Sequence, residues 1–228
     1  MTSLTTAIEG LYHTFAHYRG GPTEGCPCCV TPERRARLHA RPLREIAADD
    51  LGVYAFKAMS TWGGVDDFRH FLPRIFEIAA TDELGYDPQT VVGGKLVYAK
   101  WREWRAREQE AIEAFLFAWC DDARTNWRGS DALSSSILAG LEPEVLLRAW
   151  RDDQRPACDG AWLELLERLS SSRTLDPWTS PEASDVISHW LWEPPQRARL
   201  MRMIEALPDE VERQIARDHL DRLGLRLR

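Results

Sequence analysis

The chain has 228 residues, enough for one large domain or two small ones, and 44% of them are hydrophobic, so it can bury a substantial core. Its charged fraction of 29% is ordinary for a folded domain and excludes disorder as the default. The net charge of −7 argues against a general nucleic-acid binder, which needs a basic surface to displace phosphate counterions. No run approaches the ~18 apolar residues of a membrane span, and Met1–Thr6 has neither a basic nor an apolar signal region, so a cytoplasmic protein without a membrane partner is expected.

Periodicity predicts helices almost throughout. Leu4, Ile8, Leu11, Phe15 and Tyr18 form one apolar stripe over 3–18, with His13 and His17 one turn apart off that stripe. Gly20-Gly21-Pro22 breaks this helix, and Cys26-Pro27-Cys28-Cys29 follows. Thr31-Pro32 reads as an N-cap and first helical position, in a helix that should end before Pro42. Arg34, Arg35, Arg37, Arg41 and Arg44 cluster here and are expected to form a solvated helix face balanced by acids elsewhere. Asp49 or Asp50 should cap the next helix and Gly63-Gly64 end it. Asp66-Asp67 should open another, with a kink or break near Leu72 because Pro73 lies inside it.

Asp87-Pro88 reads as a further helix start weakened by Gly93-Gly94, and Lys95–Tyr98 is the best of very few strand signals. The clearest helix runs from about Arg105 to Asn126. Beyond Arg128-Gly129 come shorter helices, starting near Ser130, Pro143, Pro156, Ser180-Pro181, Pro194 and Pro208. The expected fold is therefore all-α, an irregular multi-helix bundle. Residues 1–128 form an N-terminal region, and 129–228 a C-terminal region that suits a short helical-hairpin solenoid; the two can pack as one body. Ten Trp are expected to fill gaps between helices.

Familiar catalytic signatures fail. Gly93-Gly94-Lys95 lacks the earlier Gly and the following Ser or Thr of a phosphate loop, and His13-Thr14-Phe15-Ala16-His17 has Thr where a zincin requires Glu. No nucleophile elbow occurs. Asp66, Asp67 and His70 read first as capping carboxylates and an imidazole paired with Asp66, and second as a metal or proton-transfer site.

The specific signal is the cysteine loop. Five Cys is an odd count and three of them sit together, unlike a secreted disulfide scaffold. Cys26 and Cys29 have the spacing that turns two thiolates onto one metal, half of a tetrahedral zinc site. His13 and His17 are the expected other half, with Cys28 and His39 as alternates. Cys120 and Cys158 read as small core residues. Two other readings stay open: a redox dithiol, which lacks the βαβ setting of thioredoxin-like enzymes, and thiols without a role.

Gly25-Cys26-Pro27-Cys28-Cys29-Val30, Leu43-Arg44-Glu45-Ile46 and Thr61–Arg74 together resemble a group of bacterial helical proteins with a Gly-Cys-Pro-x-Cys loop, to which no activity is assigned. The resemblance covers roughly residues 10–125 and implies a bacterial cytosolic origin. The functional expectation is a non-enzymatic protein-interaction or regulatory protein with a zinc-binding cysteine loop and a protein partner. The alternative is a thiol redox or metal-dependent enzyme that uses Cys26 and Cys29.

Overall fold

The computed structural model describes residues 2–81, 84–125, 129–153, 155–171 and 181–227. Asn126, Arg128 and Ser180, which enter the expectations above, lie outside them. Among the described residues the structure is 74% helical, with 12 α-helices and no strand. The chain divides into two compact units, Met1–Trp119 and Cys120–Arg228.

The first unit contains α1 (Leu4–Phe15), α2 (Pro32–Leu38), α3 (Ala48–Lys57), α4 (Val65–Ala79), α5 (Lys95–Tyr98) and the first turns of α6 (Ala106–Ala123). Its spine is α4, which packs against α1 and α3. Phe68, Phe71, Leu72, Ile75, Phe76 and Ile78 of α4 are all buried, each contributing roughly 2 kcal/mol by removal from water. This explains why the helix runs on through Pro73, where the sequence predicts a kink or a break near Leu72. A proline inside a helix costs about 3 kcal/mol, which the apolar burial of the flanking residues exceeds. Tyr54 of α3 wedges between Phe71 and Trp62, with ring centroids 4.6 and 5.4 Å away.

Other local expectations need correction. Ala47, without a side-chain bond, is the N-cap of α3, and Asp49 and Asp50 sit in its first turn, where they still complement the helix dipole. That helix stops at Lys57, not at Gly63-Gly64; Met59 turns the chain with φ 63°. Gly64 instead caps α4, its N–H donating to Asp67 Oδ2 at 2.8 Å. Gln89–Gly94 form a π-helical turn that leads into α5, so Lys95–Tyr98 is helical, not extended. His70 does not pair with Asp66. Asp66 meets Arg69 at 3.1 Å, and His70 Nδ1 meets the Tyr18 carbonyl at 2.9 Å.

The second unit holds α7 (Gly129–Leu138), α8 (Pro143–Asp152), α9 (Asp159–Ser171), α10 (Pro181–Trp192), α11 (Pro194–Ala206) and α12 (Glu210–Arg226). Helix α9 packs against α7, α10, α11 and α12. Its Trp162 lies between Trp150 and Trp190 in tilted ring contacts. Arg124 bonds the Ala149 carbonyl and Asp153, whose carboxyl is held well below the usual range by Arg155 and Arg124. Cys120 and Cys158 are both buried, and burial pushes the Cys120 thiol up to about 12.

Trp62 ties the loop before α2 to this core. Its ring is buried and its Nε1–H donates to Thr23 Oγ1 at 2.7 Å. Trp62→Phe removes the donor and part of the ring, and should lower unfolding free energy by about 1–3 kcal/mol in denaturant titration. A change below about 0.5 kcal/mol, the level of an ordinary surface substitution, would contradict this anchoring role.

Candidate metal centre

The cysteine loop is held from both sides. The Cys26 N–H donates to the Thr61 carbonyl at 2.8 Å, and the Gly63 N–H donates to the Glu24 carbonyl at 2.7 Å. These bonds make a short antiparallel bridge between Gly25 and Trp62. The receiving turn is fixed in its own right, because buried Lys95 donates its Nζ to the Ala58 carbonyl at 2.8 Å. Within the loop, the Cys26 carbonyl accepts from both the Cys29 and Val30 N–H groups at 2.9 Å. Pro27 takes the second position of this turn, which its fixed φ suits. Gly25 is required by packing: a Cβ there would lie 2.9 Å from Val30 Cβ, and Val30 is buried.

This turn brings three thiols together. Cys26 Sγ lies 2.8 Å from Cys28 Sγ, and Cys28 Sγ lies 3.3 Å from Cys29 Sγ. All three sulfurs fall within 4.8 Å of one another, so the cluster can hold a metal ion. Thiolates at about 2.3 Å from a tetrahedral zinc stand roughly 3.8 Å apart, inside the span these sulfurs already cover. Cys28 is exposed and the other two are half-buried.

The thiols share their protons unequally. Hydrogen bonding from Cys28 pulls the Cys26 thiol below its ordinary pKa, whereas Cys28, bonded to Cys26 and then to Cys29, is pushed up to about 11. In the absence of a cation the cluster therefore favours one thiolate, on Cys26.

Cys28, an alternate in the sequence reading, is a full member of the group, and no histidine belongs to it among the described residues. His13 is an exposed residue in the last turn of α1. His17 is engaged at both ring nitrogens: Nδ1 with the Thr14 carbonyl at 3.0 Å, and Nε2 at 3.7 Å from Glu108 Oε1. Glu108 is buried at the start of α6 and also accepts from Tyr18 Oη at 2.7 Å. His39 is engaged at Nε2, 3.2 Å from Thr23 Oγ1 and 3.4 Å from the Thr23 N–H. Because the Thr23 N–H donates to Nε2, that nitrogen is the acceptor, the Thr23 hydroxyl proton points to it, and the imidazole proton resides on Nδ1. The relay Trp62–Thr23–His39 has no signature in sequence, because its members are spread over 40 residues and each looks ordinary alone.

Alkylation of chelator-treated protein as a function of pH reads this arrangement. A lowered pKa places the reactive thiolate at lower pH, so Cys26 should modify at lower pH than an ordinary thiol, and Cys28 only toward pH 11. Cys28→Ala removes the first of the groups that lower it and should raise the Cys26 midpoint toward the ordinary ~8.5. A Cys26 profile unchanged in that variant, or Cys28 modified first, would contradict the hydrogen-bond assignment. The chain matches no protein-family model, no curated protein and no solved structure.

Proposed function

We propose that this is a non-enzymatic interaction or regulatory protein whose cysteine loop binds zinc through Cys26, Cys28 and Cys29. The observation that carries the reading is the convergence of three sulfurs on a loop tethered at Thr61 and Gly63. Three soft thiolates suit zinc or another thiophilic cation far better than magnesium or calcium. Bound metal would lock the turn between Gly25 and Val30 and so fix the entry into α2, an addition to folding free energy in a region with little apolar core of its own.

A protein partner is supported by apolar side chains around the anchoring turn. Phe56, Val97 and Tyr98 are exposed. Phe56 lies on α3 just before the turn, and Tyr98 Oη reaches the Met59 carbonyl at 3.5 Å. Exposed apolar side chains near one turn are the kind of surface a partner covers.

Thiol redox chemistry is the second reading, favoured by the 2.8 Å between Cys26 and Cys28 sulfurs. Closing that pair releases two protons and two electrons and so requires an external oxidant such as a small disulfide.

Elemental analysis combined with a thiol count separates the two. The zinc reading predicts about one zinc per chain and three loop thiols that become reactive only after chelation. It also predicts that Cys26→Ser both releases the metal and lowers the melting temperature. A metal-free chain with a reversible Cys26–Cys28 disulfide would overturn it in favour of redox chemistry. Loss of a measured activity in Cys26→Ser with unchanged stability would favour an enzyme.

A further inference from the structure

The arginine-rich stretch expected to be a balanced, solvated face is not uniformly balanced. Arg37 pairs with Asp50 and Arg44 with Glu9. Arg35 and Arg41 have no carboxylate partner among the described residues, and Arg35 Nε is buried without a hydrogen-bond acceptor. Both line a cavity of about 610 Å³ between α2, the Gly20–Thr23 segment and the start of α4's second turn, together with His39 and His70. No Asp or Glu lines it, although the chain carries 36 acidic residues against 29 Lys and Arg. Leu38 and Phe71 supply an apolar floor.

We propose that this cavity binds a small organic oxyanion, a phosphate or carboxylate group carried on an apolar body. Two unpaired guanidiniums present the forked donors that match either oxyanion. A bound negative charge would meet opposite charge on both. The volume lies in the range of small-molecule sites, which are apolar with a few convergent polar groups.

The imidazoles are pre-oriented around it. His39 accepts at Nε2 from Thr23, which leaves its Nδ1–H as a donor. Partial burial and the neighbouring His70 hold its pKa below the ordinary value, so near neutral pH it offers a neutral donor instead of adding charge. His70 is fixed by the Tyr18 carbonyl and by Gly20, where a Cβ would come within 2.4 Å of its Nε2. Gly20 thus lets the chain close over the imidazole and complete the cavity wall. The site stands apart from the cysteine cluster and does not depend on zinc, although α2, which carries Arg35, follows the cysteine loop directly.

The test uses the whole chain, with the ring signals of His39 and His70 followed by NMR during titration with phenyl phosphate, benzoate, inorganic phosphate and phenol. Saturable shifts are expected with phenyl phosphate, benzoate or both, and which of them binds distinguishes a phosphate from a carboxylate ligand. Inorganic phosphate should bind at least about tenfold more weakly, and phenol should not bind. Arg35→Gln and Arg41→Gln should each weaken binding about tenfold or more. Arg148→Gln, an equal charge change at an exposed residue of α8, should leave it unchanged. Arg41 is exposed, so its variant tests the site even if Arg35→Gln disturbs folding. Absence of saturation with both organic anions would overturn the proposal, as would equal weakening by Arg148→Gln or inorganic phosphate binding as tightly as phenyl phosphate.

Discussion

The backbone bridge between Glu24–Cys26 and Thr61–Gly63 is the constraint on which the N-terminal unit depends. Its two bonds, Cys26 N–H to Thr61 and Gly63 N–H to Glu24, join a segment rich in Gly to a turn already fixed between two helices. A free loop of this composition would sample many conformations, and its sulfurs would converge only rarely. With its first residue pinned, the Pro27 turn needs only local hydrogen bonds to direct three sulfurs to one place. Trp62 adds the side-chain part of the same anchor and passes it on through Thr23 to His39. One short pairing therefore positions both the thiol cluster and a wall of the cationic cavity.

Electrostatics explains why such a cluster suits a cation. Three thiolates within 4.8 Å would repel strongly, and without a metal the protons redistribute so that Cys26 ionises readily and Cys28 resists. A divalent cation reverses this balance: it favours all three thiolates at once and releases the proton that Cys28 holds. The cost of ionising Cys28 is thus coupled to metal binding, and affinity should fall as pH drops.

Much of the fold was legible because helical periodicity and proline punctuation agree. Thr31-Pro32, Pro143, Pro181 and Pro194 all begin helices where their chemistry requires. The errors came where tertiary contacts decide. Helix α4 runs on through Pro73 with burial on its flanks, and Gly93-Gly94 end a π-helical turn in place of weakening an α-helix. At the cysteine loop, spacing suggested Cys26 and Cys29, but the pattern Cys-Pro-Cys-Cys does not say which way Cys28 turns. That is settled by the Cys26 carbonyl, which gathers the Cys29 and Val30 amides and leaves Cys28 beside both neighbours. The cavity was invisible for a different reason. Which arginines of a basic run find carboxylates depends on distant residues, here Asp50 for Arg37 and Glu9 for Arg44.

X-ray absorption at the zinc edge, on the chain reconstituted with one equivalent of zinc, tests the central claim that all three loop cysteines hold one metal. The account predicts three sulfur neighbours at about 2.3 Å, falling to two in Cys28→Ser. Two sulfurs with imidazole nitrogens at about 2.0–2.1 Å, unchanged by that substitution, would contradict it.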